Sequence, residues 1–540
     1  MGRDANAAAS ALAAWRDVLA ETQILDADRA RACYGSSTEG VARRISGALL
    51  PRNEAEVARI VRIARDLRVA LYPISTGHNW GYGSSSPARD DCVLLDLARL
   101  DRVVELDADL GIVTLEPGVT QQALADHLDE RGLEFLVPVT GAGPSCSLIG
   151  NALERGYGIT PHADHFAAVT AIRAVLPSGE IYSSALAELG GVCADRAHKW
   201  GLGPYVDGLF AQGNFGVVTQ ASIVLARRPE RMEAFLFGVR SDGELERAIE
   251  AVRGILVSVG GIVGSVNLMS PHRMLASLVP YPFERCAPNG TLPEAVVAAL
   301  AREHRVFAWT GLGALYGTHA VVRAARREVE ARLARASVGL RFVNTGTGRL
   351  LHRLASLIPT RSASRLSGRL QVLDEVLKIL AGRPSEISMG LAYWKLDGAR
   401  PSAGLNPARD GCGLLWYAPL VPMKANTVRA FVECVREVCA GHGMEPVVTL
   451  TSLSDRCFDA TVPLLFRRDV PEEHARAHAC WRALFDRGRS LGCIPYRIGT
   501  PFMEPLVAAG TPFWRLVGEL KRAVDPHGII APGRYAPDAG

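Results

Sequence analysis

The sequence predicts an α+β protein of two domains, and three observations carry that reading. Between about residues 40 and 230, short apolar runs alternate with helical patterns and glycine turns. From Met232 the texture changes to longer helical patterns rich in Ala, Arg, Glu and Leu, punctuated by strand-like runs. Within the first part, an apolar segment, Val69 to Tyr72, runs into a glycine-rich turn that continues to Gly83. Strands and helices that follow one another in this way build layered sheet-and-helix domains.

In chain order, Met1 to Ala20 is alanine-rich but broken by Arg3, Asp4, Arg16 and Asp17, which suits a helix better than a secretory signal. Pro51 to Val57 opens a helix whose apolar stripe is Val57, Ile60, Val61, Ile63 and Ala64. Strands are expected at Val69–Tyr72, Cys92–Asp96, Ile112–Leu115, Ile172–Leu176 and Ser222–Leu225. The second part offers helices at Leu245–Leu256 and Ala320–Ala336, and strands at Leu414–Ala418 and Val447–Leu450. Gly346-Thr347-Gly348 reads as a turn, and no internal repeat is legible.

Bulk numbers exclude several classes of function. A chain of 540 residues holds two or three domains, and 48% apolar with 21% charged residues is an ordinary globular composition. The net charge of +4 is small, and arginines interleave with acids, as in Arg326-Arg327-Glu328-Val329-Glu330, so no nucleic-acid partner is expected. No run of about 18 apolar residues predicts a membrane span. The 11 cysteines are irregularly spread without a Cys-x-x-Cys pair, which reads as a reduced, cytoplasmic, metal-free chain. The tempting His162-Ala163-Asp164-His165 is read as a loop rather than a metal site.

The turn carries the chemistry. Pro73-Ile74-Ser75-Thr76-Gly77-His78-Asn79-Trp80-Gly81-Tyr82-Gly83 offers a run of backbone N–H groups beside small residues, suited to close approach of a pyrophosphate. It is neither the G-x-G-x-x-G turn nor a Walker loop. A histidine inside the turn places an imidazole near the cofactor's reactive ring.

Further segments follow in order: Thr114–Val119, Gly143–Gly158, Thr160–His165, Gly203–Phe210, Gly213–Thr219 and Asp525–Tyr535. Together with the turn they resemble, along nearly the whole chain, the vanillyl-alcohol oxidase and 4-cresol methylhydroxylase (PCMH-type) family of FAD flavoproteins. The resemblance implies a PCMH-type FAD-binding domain at 1–232, an α/β cap over the flavin ring at 233–498, and a segment at 499–540 that rejoins the first domain. It implies cofactor contacts from Pro73, Ile74, Ser75, Thr76, Gly77, His78 and Asn79. Pro144, Ser145, Ile149, Gly150 and Asn151 would line the ring and ribityl side, Val217 and Val218 the adenine end, and Arg534 the C-terminal side.

His78 departs from that family and matches the Gly-His pair through which berberine bridge enzyme-like oxidases bind FAD covalently. Leu414 stands at or near the family's own anchor position in the cap and cannot form the bond, while Tyr417 is shifted by three residues. Covalent FAD through His78 is therefore expected, with a noncovalent flavin as the alternative. Tyr82, Tyr496 and Arg497 match the residues that surround the phenol oxygen in phenol-oxidising members. The implied activity is hydride transfer from a small phenolic or aromatic substrate to flavin N5 through a quinone methide. An oxidase of a biosynthetic alcohol, amine or hydroxy acid, or a subunit active only with an electron-accepting partner, are the alternatives. O2 or another acceptor, and a homodimer, follow by the same resemblance. Asp459 and Arg456 are further candidates for ionisable pocket residues.

Overall fold

The computed structural model describes residues 2–344, 361–507 and 510–536, so Gly346-Thr347-Gly348 lies outside the described residues. The N-terminal helix Gly2–Trp15 ends on a fully buried Trp15, whose indole N–H donates to the Ile60 carbonyl at 3.2 Å. Ile60 belongs to the helix Glu54–Leu67, which Asn53 caps by accepting the Glu56 N–H at 2.9 Å. Its buried stripe includes Val57, Ile60, Val61 and Ala64. Arg68 closes the helix in the left-handed conformation (φ 54°), and the Val69 N–H returns to the Ala64 carbonyl at 2.8 Å. That cap claims Val69, so the following strand is Leu71–Ile74 and starts two residues later than the apolar pattern suggests.

The first sheet has the order Ile24–Leu25, Ile45–Leu49, Cys92–Asp96, Leu71–Ile74. Leu71–Ile74 is thus an edge strand, which is where a proline such as Pro73 can sit without breaking a ladder. The C-terminal segment covers this edge: Leu71 N–H donates to Ile529 and Ala531 N–H to Leu71, both at 2.7 Å. Lys521 fixes the segment from below, buried and donating to the carbonyls of Asn214 (2.5 Å) and Ile530 (3.0 Å) and to Asp525 (2.6 Å). A second, antiparallel sheet runs Val103–Asp107, Ile112–Leu115, Val217–Val224, Val169–Val175, Ile181–Tyr182.

The third sheet has eight strands, in the order Val338–Val343, Arg231–Val239, Trp309–Gly317, Asn267–Met269, Thr449–Ser452, Cys457–Arg467, Cys412–Pro422, Ile494–Arg497. In chain order this is strand–helix–strand–strand–helix–strand, twice. The first unit uses helices Leu245–Val259 and His319–Leu333, the second Ala425–Gly441 and Pro471–Ser490. The units join through their matching strands, Leu268 opposite Leu450. A repeat illegible in the sequence is therefore present in the topology, a doubled split βαβ arrangement. All four helices bury residues against one face of the sheet, among them Ile249, Val329, Val432 and Leu484 beside Phe235, Leu415, Tyr417 and Phe458. Among the described residues, no helix is long and apolar enough to cross a membrane.

Candidate active site

Side chains alternate along a strand, so the second unit of the large sheet presents its other face to a cavity of about 360 Å³. Leu414 and Trp416 line it from Cys412–Pro422, while Leu415 and Tyr417 turn into the helix-covered core. Asp459 and Thr461 line it from Cys457–Arg467, while Phe458, Ala460 and Val462 turn away. Tyr496 and Arg497 close that side. Of the two residues weighed as the cap anchor, Leu414 reaches the cavity and Tyr417 does not, so Tyr417 is no candidate anchor. Arg456 also drops out: its side chain is largely exposed, beside Asp455.

The opposite wall is the turn after Leu71–Ile74. Pro73, Ile74, Ser75, Thr76, Gly77, His78 and Asn79 all line the cavity, as do Tyr82, Ile149, Gly150, Asn151, Val218 and Arg534. Three expected cofactor residues do not line it. Pro144 and Ser145 lie behind, where their carbonyls accept the Gln122 N–H (3.0 Å) and the His78 imidazole (3.1 Å), respectively. Val217 is buried in its strand opposite Val175.

The wall fits a diphosphate cofactor. None of the backbone N–H groups from Ser75 to Asn79 donates a hydrogen bond within the described residues, and five unspent amides in one turn form an anion-binding concavity. The approach is also too close for side chains. A Cβ on Gly150 would lie 2.3 Å from Ser75 Oγ, and one on Gly77 would lie 2.4 Å from Ser85 Oγ. His78 stacks on Trp80 with ring centroids 4.8 Å apart. Its Nδ1 faces the Ser145 carbonyl, which can only accept, so the proton sits on Nδ1 and Nε2 keeps its lone pair. Burial lowers the His78 pKa and keeps the ring neutral.

The remaining polar groups converge on one another. The Arg497 guanidinium lies 4.2 Å over the Tyr82 ring, donates to Asn79 Oδ1 and pairs with Glu154 at 3.3 Å. Glu154 also pairs with Arg534. Asp459 is buried, and burial pushes its carboxyl up to about 7 even though Arg497 and the Tyr496 hydroxyl favour the ionised form. Arg497 Nε and Asp459 Oδ1 are both buried without a hydrogen-bond partner among the described residues. Burial raises the pKa of Tyr82 and Tyr496, so both are neutral hydroxyl donors. Asp459, named from sequence only as a pocket candidate, proves central. Glu154 stood inside a recognised segment with no role assigned.

A backbone cradle for a diphosphate and a buried ionisable cluster on one cavity define a flavin-binding enzyme. A family model for an FAD binding domain matches residues 45–184. Over 531 residues the chain is 37% identical to the 1'-carboxy-chondrochloren decarboxylase of Chondromyces crocatus, covering 97% of this chain and 96% of that protein. It is 26% identical over 501 residues to the 4-cresol dehydrogenase [hydroxylating] flavoprotein subunit of Pseudomonas putida, covering 93% and 89%. The fold matches p-cresol methylhydroxylase with substrate bound (TM-score 0.86, 24% identity, 99% and 97% covered). It matches equally the isoeugenol complex of 4-ethylphenol oxidase from Gulosibacter chungangensis (TM-score 0.86, 22% identity, 98% and 97% covered). The chain belongs to the vanillyl-alcohol oxidase and 4-cresol methylhydroxylase family of FAD flavoproteins, and is an FAD-dependent oxidoreductase.

Proposed function

We propose that the chain oxidises a para-substituted phenol at its benzylic carbon. The observation that carries this is the convergence of Tyr82, Tyr496, Arg497 and Asp459 in one cavity with the flavin cradle. FAD, when bound, supplies the hydride acceptor. Residues 1–232 and 499–540 form the domain that holds it, and 233–498 form the cap that closes over the substrate, with Tyr82 reaching the substrate from the cofactor side. Tyr82 donates a hydrogen bond to the phenol oxygen. Tyr496 accepts the phenol proton as it passes its own to Asp459 and then donates back to the phenolate, and Arg497 balances the charge. Asp459 takes up that proton through Tyr496. The phenolate electrons then favour loss of hydride from the benzylic carbon, leaving a p-quinone methide. O2 or another electron acceptor completes turnover.

A second reading differs in the fate of the quinone methide and is favoured by the decarboxylase at 37% identity. A carboxylate on the carbon next to the benzylic position leaves as CO2. The electron pair of that C–C bond forms the exocyclic C=C and restores the phenolate. No further oxidant enters. A panel of 4-alkylphenols and 3-(4-hydroxyphenyl)propanoates tests both, read by bleaching of the flavin spectrum and by CO2 release. Bleaching by both compound classes with CO2 from the acids alone supports decarboxylation as the native outcome. Bleaching by alkylphenols with hydrated or desaturated product and no CO2 supports the first reading. No bleaching by any phenol defeats both.

The same reading attaches FAD covalently through His78, because its neutral Nε2 is a competent nucleophile in the cofactor wall while Leu414 offers no bond. Acid precipitation of the native protein is expected to leave yellow colour in the pellet, and His78→Ala to move it to the supernatant. Yellow supernatant from the native protein would make His78 a noncovalent ligand.

A further inference from the structure

Tyr82 sits on a loop that another part of the chain holds from behind. Ser37, Thr38 and Glu39 are buried, although they belong to the irregular segment after the helix Ala27–Tyr34. Thr38 Oγ1 accepts the Gly81 N–H at 2.7 Å, and Glu39 Oε1 accepts the Gly83 N–H. These are the amides on either side of Tyr82. Tyr82 itself uses its own N–H on Asn79 (3.1 Å) and its carbonyl on Thr500 (3.2 Å). Gly81 and Gly83 have φ of 77° and 124°, and a Cβ on either would collide with Trp416 or Thr500. The loop therefore runs in a conformation that only glycine tolerates, and its two flanking donors find acceptors in side chains rather than in a ladder.

The segment that supplies these acceptors is fixed from the cap. The Leu414 N–H donates to the Thr38 carbonyl at 2.9 Å, and Arg468 donates to the Ser37 carbonyl at 2.8 Å. The Nε2 atoms of His474 and His478 both donate to the Glu39 carbonyl, at 2.9 and 3.0 Å. None of Ser37, Thr38 or Glu39 lines the cavity, whereas Tyr82, Leu414 and Arg497 do. The Tyr82 hydroxyl makes no hydrogen bond within the described residues, so its place over Arg497 depends on its backbone.

We propose that Thr38 and Glu39 are positioning residues for Tyr82: by gripping the amides of Gly81 and Gly83 they aim its hydroxyl at the phenol oxygen. This rests on the reading of Tyr82 as a donor to a substrate phenolate. What the clamp requires of position 39 is an acceptor oxygen rather than a charge, so glutamine serves there and leucine does not. At position 38 serine serves and valine, of the same shape, does not.

The test uses the FAD-loaded protein and 4-nitrophenol, with its ionisation when bound followed by difference absorbance against pH. Steady-state kinetics on a 4-alkylphenol run alongside. Tyr82→Phe is expected to raise the apparent pKa of bound nitrophenol. Thr38→Val and Glu39→Leu are expected to raise it in the same direction and to lower kcat/KM by about 10- to 10²-fold, the cost of a misplaced catalytic group. Thr38→Ser and Glu39→Gln are expected to restore both readouts, with FAD content unchanged throughout. If Tyr82→Phe shifts the bound phenol but Thr38→Val does not, the clamp is overturned and the phenol site stands. If Tyr82→Phe leaves the bound phenol unmoved, the phenol site fails and the clamp with it. Should Glu39→Leu not fold, the Val and Ser variants at position 38 decide the matter alone.

Discussion

Arg497→Ala is expected to lower kcat/KM for a phenolic substrate by about 10²- to 10³-fold, the usual cost of removing one preorganised donor at a developing oxyanion. The protein should keep its FAD. Arg497 touches Tyr82, Asn79 and Glu154, and Glu154 retains Arg534 as its partner after the change, while Asp459, deprived of the charge that favours its ionised form, is held protonated by burial. The loss should fall on the ionisation of bound phenol rather than on folding. Measuring kcat/KM together with the flavin content of the purified variant separates the two. Full activity on the true substrate would remove the phenolate from the mechanism.

Asp459→Asn is expected to cost about 10²- to 10⁴-fold in rate, the range for a positioned acid–base group. It should also remove a limb from the pH profile. Burial holds the Asp459 carboxyl at about 7, so below that pH it is protonated and cannot accept the phenol proton. Activity of the native enzyme should therefore rise through pH 7 and level off above it, and kcat/KM reports this for the free enzyme. In the Asn variant the remaining activity should lose that inflection. An acidic limb that survives unchanged in Asp459→Asn would assign the titration to another group.

The cavity wall from Pro73 to Asn79 was legible in the sequence, because glycine spacing and small residues dictate where backbone can approach a ligand, whereas Pro144, Ser145 and Val217 stand outside that wall. The turn from Pro73 to Asn79 lies where its pattern placed it, with its amides unspent. Residues that act through a strand face were harder to read. Asp459 and Arg456 were equal candidates in the sequence, but Asp459 lies inside the strand Cys457–Arg467, facing the cavity, and Arg456 precedes it and turns to solvent. The same alternation sends Leu414 inward and buries Tyr417. Thr38 and Glu39 left no signal at all, because their partners are two amides more than 40 residues away. The doubled βαββαβ topology was hidden for a similar reason: both units keep the order of strands and helices without keeping the residues.

That doubling divides labour unevenly. Leu414, Trp416, Asp459, Thr461, Tyr496 and Arg497 all come from the second unit, and none of the cavity lining comes from residues 231–343 of the first. The first unit completes the sheet and its helix-covered core, yet lines none of the cavity. Chemistry in this architecture is therefore portable. Exchanging the block from Ser388 to Arg497 between relatives that keep Tyr82 should transplant substrate choice, while the flavin cradle and the companion half stay behind as an unchanged chassis.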